Sequence, residues 1–145
     1  MVNNKNLSCY SEPLPESVAT NRRIAGGPIY GPDEVLALLD ENGSGCIRAW
    51  TRDCIADLQK YSMELDDVEE LIRLCFRSGR YIDSEWCQQK TDGPWAACDA
   101  YQVTQRKWVK YAHKEMDFEN YIKFAIGKTG QLMLLISCHP PEIRR

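Results

Sequence analysis

From residue 32 to residue 78 the apolar positions of this chain recur every three or four residues. From residue 80 onward they tend to alternate. The first regime predicts helices. In GPDEVLALLDENGSG, Pro32 suits a first helical turn, Asp33 and Glu34 favour a helix start, and Gly43 and Gly45 end it. CIRAW is a short strand. TRDCIADLQKYS offers Thr51 as N-cap, with Cys54, Ile55, Leu58 and Tyr61 at helical spacing. ELDDVEELIRLCFRSG carries one stripe of Leu65, Val68, Leu71, Ile72, Cys75 and Phe76. Its first turns are acidic, its last turns hold Arg73 and Arg77, and Gly79 stops it.

The second regime predicts four or five antiparallel strands, in RYIDSEWC, WAACDAYQV, RKWVKYAHKEM, ENYIKFAIG and QLMLLISCH. Turn signals separate some of them, at Thr91-Asp92-Gly93-Pro94 and at Gly127-Lys128-Thr129-Gly130. Helices followed by a meander give an α+β class, with the helices packed on one face of a mainly antiparallel sheet. Residues 1–27 are polar, proline-containing and aperiodic, and read as a loosely ordered arm. Residues 28–145 then form a single domain.

Alternation also assigns faces. Ile122, Phe124 and Ile126 should meet the helices, leaving Tyr121, Lys123 and Ala125 outward. In the last strand strict alternation groups Met133, Leu135, Ser137 and His139 on one side, opposite Leu134, Ile136 and Cys138. If Tyr121 and His139 fall on one face, a Tyr/Lys/His cluster forms. A slip of one residue would part them.

Composition narrows the chemistry. The chain has 145 residues, with no uncharged apolar run long enough to span a membrane and no export signal, so a cytoplasmic setting is expected. Seven cysteines without regular spacing read as reduced thiols, several at core positions. The net charge of −3 is unevenly spread. Residues 33–99 hold 7 basic and 15 acidic side chains, whereas residues 100–145 hold 8 basic and 4 acidic. A basic last third on an acidic protein suits an anionic ligand there, or simply solvated strand faces.

Histidine exchanges protons near neutral pH, and lysine offsets charge on a phosphate. His139, Tyr121 and Lys123 are therefore the candidate catalytic set; the plainer reading makes Tyr121 and Lys123 ordinary exposed strand residues. His113, Lys110 and Lys114 could grip phosphate, or form a solvated strand end. Trp86 and Tyr101 could stack on unpaired bases, or sit in the core. Cys87, Cys98, His113, Cys138 and His139 lack the close pairing that zinc sites show, so no metal and no other cofactor is expected. A nucleophile at Cys87 or Cys98, with His139 as base, finds no glycine-rich oxyanion turn to support it.

The order of YGPDEVLALL, WTRDCIADLQKYSMELDDVEELI, DSEWC…WAACDAY, NYIKFAI and GQLMLLISCH resembles the MqsR-type toxins of bacterial toxin–antitoxin systems. These belong to the RelE-like mRNA interferase superfamily, and the resemblance covers about residues 29–140. It implies a RelE-like sheet. The family's strand tyrosine matches Tyr121, with Lys123 two residues on, and its C-terminal basic residue matches His139. Its lysine after an aromatic pair falls on Asp83, a charge reversal. Its glutamine falls on Ala96 or Cys98, while Asp99 and Tyr101 keep the D-x-Y part.

The resemblance implies a metal-independent endoribonuclease toxin that cleaves single-stranded RNA through 2′-hydroxyl attack, leaving a 2′,3′-cyclic phosphate. His139 would be the general acid, Tyr121 a phosphate or base partner, and Lys123 with Lys114 the electrostatic stabilisers. A protein antitoxin is the implied partner, and no membrane is. The two replaced positions motivate another reading, a catalytically degenerate module that binds RNA or a protein in a regulatory role. Oligomeric state is not legible in the chain.

Overall fold

The computed structural model describes residues 5–15 and 22–141. Six strands form one sheet in the order β1-β3-β4-β5-β6-β2, antiparallel except where β2 runs parallel to β6. The strands are β1 (Arg23–Ile24), β2 (Ile47–Ala49), β3 (Arg80–Gln88), β4 (Trp95–Val109), β5 (Lys114–Ile126) and β6 (Met133–His139). The helices are α1 (Pro32–Asn42), α2 (Arg52–Lys60) and α3 (Leu65–Ser78), so the class is α+β with the helices ahead of the long strands. Among the described residues no helix is long and apolar enough to cross a membrane.

The helices start and stop for local reasons. Thr51 Oγ1 accepts from the Cys54 N–H at 3.1 Å, capping α2, and donates to the Ile136 carbonyl at 2.8 Å, tying the helix to β6. The Asp67 carboxylate accepts from the Glu64 N–H at 2.8 Å at the head of α3. Gly79 caps the end of α3 in an extended conformation, where a β-carbon would lie 2.7 Å from the Cys75 carbonyl oxygen. The predicted stripe of α3 is the buried one: Val68, Leu71, Ile72 and Cys75 join Ile122, Phe124, Ile126, Met133 and Leu135 in one core. Phe76 adds edge-on contacts with Tyr101 and Phe124.

Three departures from the sequence pattern shape the molecule. First, WAACDAYQV and RKWVKYAHKEM are not two strands. No turn signal follows Val103, so β4 runs on to Val109. The chain then reverses through a 3₁₀ turn at Lys110–Ala112 and a left-handed His113 (φ 51°). Second, the arm is built into the sheet where it is described. Pairing of β4 with β5 stops at Asp99–Phe124. Beyond that point residues 5–9 take up the orphaned backbone groups of both strands. Leu7 N–H donates to Trp95 O and Cys9 N–H to Ile126 O, at 2.8 and 3.0 Å.

Third, two bulges break the alternation. Between Tyr81 and Asp83 the extra residue Ile82 leaves Tyr81 against Tyr101 on the helix side and sends Asp83 and Glu85 to the opposite face. In β6, Leu135 pairs with Phe124 but Ser137 pairs with Lys123, so Ile136 is the extra residue. Met133 and Leu135 face the helices, whereas Ser137 and His139 do not. The single-face grouping that strict alternation gave for these four residues is corrected by this bulge.

Candidate functional site

The β6 bulge decides the site. With it, His139 lies directly across from Tyr121 and Ser137 directly across from Lys123, all on the face away from the helices. The Tyr121 and His139 rings are tilted to each other with centroids 6.3 Å apart. The two bulges flank a depression of about 310 Å³. Its lining includes Asp83 and Glu85 from β3, Ala100 from β4, Tyr121 and Lys123 from β5, and Ser137 and His139 from β6.

Its electrostatics are mixed. Lys123 Nζ meets Glu85 Oε1 at 2.5 Å, reaching across β4 to do so. Burial disfavours the Lys123 ammonium, but the nearby Cys87 and the hydrogen bond and charge of Glu85 outweigh it, and its pKa rises above the ordinary 10.5. Asp83 faces Arg23 at 3.5 Å. The Tyr121 phenol is held protonated by its hydrogen bond to Glu119 and by that carboxylate's charge. The raised pKa favours the donor form of the phenol.

His139 Nδ1 lies 2.7 Å from the Pro140 carbonyl oxygen. A carbonyl only accepts, so Nδ1 carries the hydrogen and Nε2 is left to exchange a proton. Glu85 is the residue that reading the sequence missed. It sits in the acidic part of the chain, and only the bulge at Ile82 together with two intervening strand pairings brings it to Lys123.

The other candidates are dispersed. Tyr101 borders the depression but is only 5% exposed, with its ring stacked 5.9 Å from Phe124; it is a core residue. Trp86 is also 5% exposed and packs under Tyr10 at 5.7 Å. Neither is available to stack on a base, because both point to the covered face of the sheet. Lys110, His113 and Lys114 sit at the tip of the β4–β5 hairpin, seven residues from Tyr121 for Lys114 and thus roughly 23 Å along the strand. Lys114 therefore does not join Lys123 as a stabiliser.

Asp99 has a structural task. Fully buried, it accepts from the N–H groups of Ile29 and Tyr30 and from Ser84 Oγ. Gly27 passes so close that a β-carbon would lie 2.2 Å from the Tyr81 hydroxyl. Cys87 Sγ turns to Glu85 Oε1 at 3.8 Å and His139 Nδ1 to the Pro140 carbonyl, so the thiol–imidazole pair is not formed. Among the described residues no three His, Cys, Asp or Glu side chains converge on a metal position.

Comparison of the chain with protein-family profiles, with curated proteins and with solved structures found no match in any of the three.

Proposed function

We propose that the protein is a metal-independent endoribonuclease that cleaves single-stranded RNA, of the kind implied by the likeness of its sequence to MqsR-type toxins. The observation that carries this reading is the cross-strand set Tyr121–His139 and Lys123–Ser137 in one depression, with the Glu85 carboxylate beside it. The substrate's 2′-oxygen attacks phosphorus and its proton passes to Glu85. The Lys123 ammonium offsets the charge of the phosphorane. His139 Nε2–H protonates the departing 5′-oxygen, which yields a 2′,3′-cyclic phosphate and a 5′-hydroxyl. The base stands on β3 and the acid on β6, with β4 and β5 between them. Each contributes about 10²–10⁴-fold, and charge stabilisation adds about 10²–10³-fold. The same reading carries a protein antitoxin as partner.

One observation favours a second reading. Lys123 and Asp83 each already have an opposite charge inside the protein, at Glu85 and Arg23. A fold that keeps the cleft but neutralises it within would bind RNA or a protein without cutting.

End-labelled single-stranded RNA incubated in EDTA with the protein and with the His139→Ala and Glu85→Gln variants separates the two. Cyclic-phosphate ends from the wild type alone support the nuclease. RNA bound but intact with all three proteins supports the binding module. Cleavage of DNA at a comparable rate would rule out the mechanism, since DNA has no 2′-hydroxyl.

A further inference from the structure

The depression at His139 is one end of a longer trough. Ser137 also lines a second cavity of about 700 Å³, whose other walls include Arg22, Thr51, Arg52, Cys87, Gln88 and Lys90. Arg52, Gln89 and Lys90 in turn line a third, of about 640 Å³, with Trp50 and Ile55. Three cavities joined through shared residues make a path for a flexible linear ligand and are oversized for a single small anion.

The charge changes along this path. Near His139, Lys123 is matched by Glu85, and Asp83 stands beside them. In the second cavity Arg22, Arg52 and Lys90 face one carboxylate, Asp53. Among the described residues neither Arg52 nor Lys90 has a carboxylate at ion-pair distance, whereas Arg23, Arg73, Arg106 and Lys123 all do. The backbone that carries both residues is also fixed. Gln89 Nε2 donates to the Trp50 carbonyl at 2.9 Å, which ties the β3–β4 turn to the start of α2. Gly93 N–H closes that turn onto Lys90 O at 2.8 Å. Lys90 and Arg52 are thus presented from two elements across one gap.

We infer that Arg52 and Lys90 form a phosphate-binding subsite for a single-stranded nucleic acid, engaging backbone phosphates that flank the one held at His139. This rests on the proposed nuclease reading for the position of the scissile phosphate, but not for the subsite itself. A flexible strand follows a stepped trough; a stiff duplex does not.

The test uses a fluorescent 2′-O-methyl RNA strand of mixed sequence, which binds but cannot be cut, titrated at several salt concentrations. It compares the full-length protein with the variants Arg52→Gln/Lys90→Gln and Lys110→Gln/Lys114→Gln. The second variant removes equal charge at the hairpin tip. Circular dichroism checks that both variants are folded, and the cleavable strand is assayed in parallel. Two lost phosphate contacts should lower the slope of log affinity against log salt by about 1.4 and weaken binding about tenfold, in the Arg52/Lys90 variant alone. That slope change with no cleavage by the wild type leaves the subsite standing and removes the nuclease. Cleavage by the wild type with no slope change, or an equal change in both variants, overturns the subsite and leaves the nuclease. A wild type that does not bind the strand overturns the subsite as well.

Discussion

The two faces of the sheet are built from the same strands and obey different rules. Toward the helices, Ile122, Phe124, Ile126, Met133 and Leu135 are almost wholly buried and interlock with α3. On the other face Tyr121, Lys123, Ser137, His139, Asp83 and Glu85 stand around a hollow whose base includes the small Ala100. The first face tolerates no irregularity in its packing. The second owes its arrangement to two irregularities, since each bulge moves polar residues out of the packed face and onto the hollow. Bulges are a way to re-aim side chains without disturbing the strands on either side.

That contrast can be broken from either side. The largest effect on stability is expected on the helix face: Phe124→Ala should cost about 3–5 kcal/mol in urea unfolding, because the hole left between Phe76 and Tyr101 cannot close. Asp99→Ala should follow. It strands the Ile29 and Tyr30 N–H groups and costs about 2–3 kcal/mol, with earlier proteolysis of the N-terminal segment as the second readout.

On the hollow face the proposed nuclease function predicts losses of catalysis. His139→Ala should reduce RNA cleavage about 10²–10⁴-fold and leave the unfolding midpoint nearly unmoved. Deleting Ile136 should be tolerated by comparison, since Ser137 then follows Leu135 in regular alternation and His139 stays opposite Tyr121. Loss of cleavage by a folded deletion variant would show that the bulge shapes the site beyond setting which residues pair.

A smaller effect concerns pH. The folded pKa of Lys123 is raised above 10.5, so its stabilising contribution is complete below that value and fades as pH climbs through the folded one. Lys123→Gln should therefore lose less stability than the wild type on passing from neutral to strongly alkaline pH. Equal losses would mean that the Glu85 contact holds no net charge interaction. Least of all should follow from Tyr111→Ser at the hairpin tip. Tyr111 is 88% exposed, and a change within about 0.5 kcal/mol is expected.

The helices were legible because their signals are local. A capping Thr51, a periodic stripe in α3 and a stopping Gly79 all act within one or two turns. The face assignment of Ile122, Phe124 and Ile126 was legible for the same reason, as period two is a property of the strand itself. The length of β4 was misjudged because charged residues after Val103 look like a new strand, when they are a hairpin leaving the protein's body. Trp86 and Tyr101 looked like stacking residues because aromatic side chains serve cores and ligands alike, and only packing separates the two.

By itself, then, the sequence determined the helical half, the main turns and the residue types of the cleft: a histidine ending the last strand, and a tyrosine and lysine two apart. Tertiary structure alone decided that they meet. Whether Tyr121 and His139 share a face depends on one extra residue in β6, and whether Glu85 reaches Lys123 depends on one in β3. A bulge is a property of a pair of strands, set by what each packs against, and one strand's alternation carries no trace of it.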